Sequence, residues 1–157
     1  MIPKRARELL AASAVLSLAI VGCATGATPT PAGADGATTL AVTLQEWAVL
    51  PASDSAPPGE ITFEVTNDGP EDIHEFVILR TDLDPADLPT DENGAVTEGG
   101  EGIEVIDEIE DIPVGETQEL TATLEAGSYI LLCNIWDEEE GEAHYTMGMR
   151  TAFTVTD

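Results

Sequence analysis

The chain holds only two histidines, His74 and His144, and only two cysteines, Cys23 and Cys133. His74 closes the run Asn67-Asp68-Gly69-Pro70-Glu71-Asp72-Ile73. Cys133 follows Tyr129-Ile130-Leu131-Leu132, and after ten intervening residues comes His144-Tyr145-Thr146-Met147-Gly148-Met149. Two imidazoles and one thiolate make a trigonal donor set that a thioether can cap weakly from one side. This mixture suits copper passing between its two oxidation states, because soft sulfur favours Cu(I) while imidazole holds either state. Each residue also has a plainer explanation: a surface or core histidine, an inert buried cysteine, a methionine that fills the core. Their joint occurrence in a chain so poor in ligand-type residues favours the metal. A nucleophile–base pair of Cys133 and His144 lacks a third orienting group. Oxidases and reductases with a second copper centre need further histidines, which this sequence does not have. A carrier, not an enzyme, is expected.

The elements that position these residues are short β-strands. Leu40, Val42 and Leu44 alternate with Ala41 and Thr43, and Trp47 and Val49 continue the run before Pro51. Ile61, Phe63 and Val65 alternate with Thr62, Glu64 and Thr66, and further candidates are 73–80, 103–109, 118–124, 128–135 and 150–155. Turn signals at Pro57-Pro58-Gly59, Asn67-Asp68-Gly69-Pro70, Pro113-Val114-Gly115 and Ala126-Gly127 separate them. About seven strands so punctuated predict an antiparallel sandwich over residues 38–157. Residues 81–102 break the rhythm: 82–88 suit a short helical turn, and 91–102 an exposed loop. The acidic residues of 82–92 do not match the ligand spacing of a helix–loop–helix calcium site. Trp47 is expected in the core. Trp136 lies between Cys133 and His144 and suits packing, shielding or a partner. The carboxylates of 137–142 suit a solvated bulge, a docking patch or an electrostatic influence on the metal.

Before this domain, Lys4, Arg5 and Arg7 precede the apolar stretch 9–21, too short for a membrane-spanning helix but suited to an export signal. The stretch closes with Ile20-Val21-Gly22-Cys23, which resembles a bacterial lipobox and implies lipidation of Cys23 after removal of residues 1–22. Residues 23–37, rich in Thr, Pro, Ala and Gly, then form a flexible tether with a reach of about 20 Å. The expected location is extracytoplasmic, with a lipid anchor on the bacterial cell membrane. Lipid on Cys23 leaves Cys133 without a disulfide partner, a liability that a bound metal removes.

Five basic residues stand against thirty-one acidic ones, a net charge of −26. Removing residues 1–22 takes three basic and one acidic residue with it, leaving Arg80 and Arg150 against thirty carboxylates, a net −28. Nucleic acid is excluded as a partner, since phosphate binding needs a basic surface. A basic redox partner would be steered in at low salt, although solubility in a salty habitat explains the charge equally well.

The chain resembles the cupredoxins, the small blue-copper proteins of the plastocyanin and azurin type. The resemblance rests on Val42…Trp47…Pro51, Pro58-Gly59-Glu60-Ile61-Thr62-Phe63, Asn67…Gly69…His74, and Gly127-Ser128-Tyr129…Cys133…His144…Gly148-Met149…Phe153-Thr154-Val155. It implies an all-β, Greek-key sandwich of about seven to eight strands with one type 1 copper ion. The ligands it implies are His74, Cys133, His144 and Met149. Met149 is preferred to Met147 because a glycine directly before it suits the close turn of the family's ligand loop. The implied function is to carry single electrons between redox partners. Rival readings are copper storage or delivery, and a metal-free interaction domain. Two features depart from the family pattern: the long insert between Cys133 and His144, and Glu75 after His74, where the family often has a residue that ties two ligand loops together.

Overall fold

The computed structural model describes residues 37–157. The expected signal peptide 1–22, the lipidation site Cys23 and all but the last residue of the tether lie outside the described residues.

Period-two alternation turns into one buried face at a time. In β1 (Thr38–Gln45), Leu40, Val42 and Leu44 are buried; in β4 (Gly59–Asn67), Ile61, Phe63 and Val65 are. These strands join β2 (Ala48–Pro51) and β7 (Thr117–Leu124) in a sheet of order β2-β1-β4-β7. The facing sheet has the order β3-β11-β8-β5-β6, built from β3 (Ser55–Ala56), β5 (His74–Arg80), β6 (Glu104–Ile112), β8 (Gly127–Leu132) and β11 (Arg150–Val155). Between the sheets Phe63 meets Phe76 at 5.5 Å and Phe153 at 5.9 Å between ring centroids. Each fully buried ring contributes about 2–3 kcal/mol through area removed from water.

The sandwich differs in detail from the sequence expectation. It is mixed, not wholly antiparallel: β1 runs parallel to β4, and β3 parallel to β11. The run through Trp47 is no single strand, because Gln45 pairs with Ala48 and folds β1 and β2 into a hairpin around Glu46-Trp47. Strand β8 stops at Leu132 and does not reach Ile135, since Asn134 turns its hydrogen bonds away from the sheet, to Glu75 and Val96.

Residues 82–88 form turns and no helix. Thr81 Oγ1 accepts from the Leu83 amide and Asp84 Oδ1 from the Ala86 amide, side-chain bonds that compete with helical pairing. Nor is 91–102 merely an exposed loop. Strands β5 and β8 are apolar on both faces, and the outer residues Val77, Leu79, Ile130 and Leu132 need cover. Leu88, Val96 and Ile103 supply it together with Tyr145. Tyr145 pins the segment by donating to Pro85 O at 2.8 Å and accepting from the Leu88 amide at 3.2 Å.

Candidate metal centre

Three neighbouring strands of the five-stranded sheet deliver the donors to one end. His74 opens β5, Cys133 follows the last residue of β8, and Met149 precedes the first residue of β11. Leu132 pairs with Val77 on one side and with Arg150 on the other, so these strand ends lie side by side. Alternation then puts His74 on the same inner face as Phe76, Cys133 on that of Leu131, and Met149 on that of Phe153.

His144 reaches the same place by a different route. The insert forms a second small hairpin, β9 (Trp136–Asp137) against β10 (Glu142–Ala143), with Trp136 opposite Ala143. The His144 amide donates to Ile135 O at 2.9 Å, which brings the ends of the insert together. Closing a loop costs only slightly more as it lengthens, so the hairpin grows outward without moving its base. His144 then opens a single helical turn, α1 (His144–Met147), capped by Gly148. Glycine is required there because its φ is +130° and a Cβ would stand 3.0 Å from the Trp47 carbonyl oxygen.

His74 Nδ1 lies 3.2 Å from His144 Nδ1, and Cys133 Sγ lies 3.3 Å from the same nitrogen. The three donor atoms all fall within 4.8 Å of one another, and all three residues are buried. Met149 is fully buried in the core cluster that contains Cys133, whereas Met147 is exposed. The Cys133 amide donates to Met149 O at 3.0 Å, locking these two backbones together.

The electrostatics leave the donors neutral and available. Burial, reinforced by the neighbouring His144, pulls His74 down to about 4, and burial lowers His144 as well. Burial pushes the Cys133 thiol up to about 12. A soft cation held between these donors would displace that proton, since a coordinating thiol is deprotonated outright.

Supporting contacts hold the frame. Asn67 is fully buried: its side-chain amide donates to Asp72 O and Ile112 O, both at 2.8 Å, and its Oδ1 accepts from the Gly69 amide at 2.8 Å. It thereby fixes the loop that ends at His74. Glu75 ties the segment of His74 to that of Cys133. Its Oε1 accepts from the Asn134 amide at 2.6 Å, and its own amide donates to Cys133 Sγ at 3.4 Å. Burial raises its carboxyl to about 7. Trp47, expected in the core, is half-buried: it packs against the core cluster and meets His144 in a T-shaped contact, 5.1 Å between centroids. Neither contact was legible in the residue order, because both join segments far apart in sequence.

A cleft of about 290 Å³ opens beside His144, lined in part by Asp72, Ile73, Trp136 and Asp137. A larger one, about 540 Å³, lies around Arg80 and Ser128 at the other end of β5; among the described residues no cluster of metal donors lies there.

The two packed sheets and their strand order give the fold of the cupredoxins. Auracyanin from Roseiflexus castenholzii superposes with a TM-score of 0.53 at 23% identity, over 80% of this chain and 100% of that one. Auracyanin A from Chloroflexus aurantiacus, a "blue" copper protein, gives 0.51 at 19% identity over 77% and 100%. Rusticyanin gives 0.50 at 17% identity over 76% and 79%. No protein-family profile matches the sequence, and no curated protein matches it.

Proposed function

We propose that the chain is a type 1 copper protein that carries single electrons, and that His74, Cys133, His144 and Met149 would hold the ion. The observation that carries this reading is the buried triad of two imidazoles and a thiol with donor atoms within 4.8 Å. Copper held there supplies a one-electron couple. The protein's part is to keep the donors in one arrangement for both oxidation states, and the sheet does so through strand register and the Asn67 and Glu75 bonds. The apolar wall of Phe76, Leu131 and Met149 excludes water from the sulfur. Burial of Met149 beside Cys133, with Met147 turned outward, supports the choice between the two thioethers.

The finer setting follows from the sequence. Ile20-Val21-Gly22-Cys23 supports export and a lipid anchor, with residues 23–37 as tether and 38–157 as the working domain. The carboxylates around the cleft at His144 support a basic redox partner. Titration of the purified chain with Cu(II), followed by visible absorption and EPR, tests the copper reading. One equivalent is expected to give an intense band in the visible region that disappears in Cys133→Ser and His144→Ala. Weak, non-stoichiometric uptake with no thiolate band would leave the metal-free interaction domain as the better account.

A further inference from the structure

The turn between β1 and β2 touches both imidazoles. Trp47 packs against His144, while Glu46 faces His74 from the side away from the sulfur. Glu46 Oε1 lies 3.8 Å from His74 Nε2, and the two side chains are 11% and 0% exposed. The carboxylate is not free to turn away, because the amides of Glu71 and Asp72 donate to Oε1 at 3.1 and 2.8 Å. Among the described residues, the buried side-chain polar atoms left without a hydrogen-bond partner are Glu46 Oε2 and His74 Nε2. Buried polar atoms are rarely left alone, and here the two belong to side chains that face each other.

Resting on the copper reading above, we propose that Glu46 is a positioning residue of the metal centre: its carboxylate accepts a hydrogen bond from Nε2–H of His74, so holds the Nδ1 lone pair toward the ion, and keeps a fixed negative charge behind that ligand. A metal on Nδ1 withdraws electron density from the ring and makes Nε2–H a stronger donor, so the contact tightens on loading. The charge favours Cu(II) over Cu(I). An anchored carboxylate is a stronger acceptor for Nε2–H than a neutral carbonyl, so the residue opposite His74 becomes a determinant of potential. The position is set from outside the ligand segments, by a residue 28 positions before His74 in the chain.

The test compares the full chain with Glu46→Gln, which keeps an oxygen for the two amides and loses the charge and the second acceptor oxygen. Zn(II) affinity is expected to fall about 10-fold, within the range for partners of metal ligands, and the copper potential to rise. In the metal-free wild type, nitrogen-15 NMR of the imidazoles is expected to find His74 as the Nε2–H tautomer. A wild type that binds neither Cu(II) nor Zn(II) overturns the copper reading itself. A wild type that binds both, with Glu46→Gln unchanged in Zn(II) affinity and potential, overturns the role of Glu46 alone. Should Glu46→Gln not fold, the tautomer decides: an Nδ1–H form of His74 overturns the proposal.

Discussion

At the scale of single residues, a buried donor differs from a buried filler in what it leaves unsatisfied. Met149 and Leu131 occupy the same core, yet Met149 sits at the strand end with its carbonyl bonded to the Cys133 amide, and it is the thioether proposed for the ion. A harder oxygen donor in its place should favour the oxidised ion. Met149→Gln is therefore expected to lower the copper potential, while Met147→Leu leaves potential and spectrum unchanged; protein-film voltammetry of the two variants separates them. Asn67 shows the same principle for a polar side chain. Removing it strands the carbonyls of Asp72 and Ile112, and a buried unsatisfied group costs about 1–3 kcal/mol. Asn67→Ala is expected to lower stability by about 3 kcal/mol in urea unfolding, a loss that bound Cu(II) partly offsets because the ion binds only the folded form.

At the scale of elements, the hairpin β9–β10 separates two tasks. Its base holds His144 through the Ile135 carbonyl, and its tip carries exposed carboxylates. Charges of Asp72 and Glu142 push the Glu140 carboxyl above its ordinary value, so the tip is crowded with like charge close to the cleft. Asp137 shapes the turn by accepting from the amides of Glu139 and Glu140 and should be kept. Replacing Glu138, Glu139 and Glu140 together by Gln is expected to change stability by less than about 0.5 kcal/mol, as surface changes do. The same triple variant should raise the copper potential slightly at low salt, an effect that fades at about 1 M salt, where the screening length falls to a few ångströms. A shift that persists in high salt would point to a rearranged site. On the other flank, Tyr145 anchors residues 81–102 through its hydroxyl; Tyr145→Phe should loosen that segment, seen as faster amide exchange at Leu88 with slow exchange retained in β5 and β8.

At the scale of the molecule, the net charge of −26 works against a compact state. Ion pairs do little to relieve it, since the pair of Arg80 with Glu125 is solvent-exposed and such pairs contribute at most about 1 kcal/mol. Screening should therefore stabilise the fold: the melting temperature of the metal-free protein is expected to climb as sodium chloride rises from 10 to about 500 mM. A flat or falling curve would show that the carboxylates are spread widely enough to ignore one another. The same charge should make association with a basic partner fast and salt-sensitive, and leave its affinity to the contacts around His144.

Much of this protein was written in its residue order. Alternation in 38–45 and 61–65, the turn signals, and the scarcity of histidine and cysteine pointed to a β-sandwich with His74, Cys133 and His144 at one place. Alternation is a local property, so it survives without knowledge of the partner strand. Pairing is not local. Whether β1 meets β4 in parallel, whether 91–102 covers β5 and β8, and whether a long insert returns His144 to Cys133 all depend on segments far away in the chain. Glu46, Trp47 and Glu75 gained their places beside His74, Cys133 and His144 in this way, since tertiary packing alone decides which unpaired polar atom stands next to which.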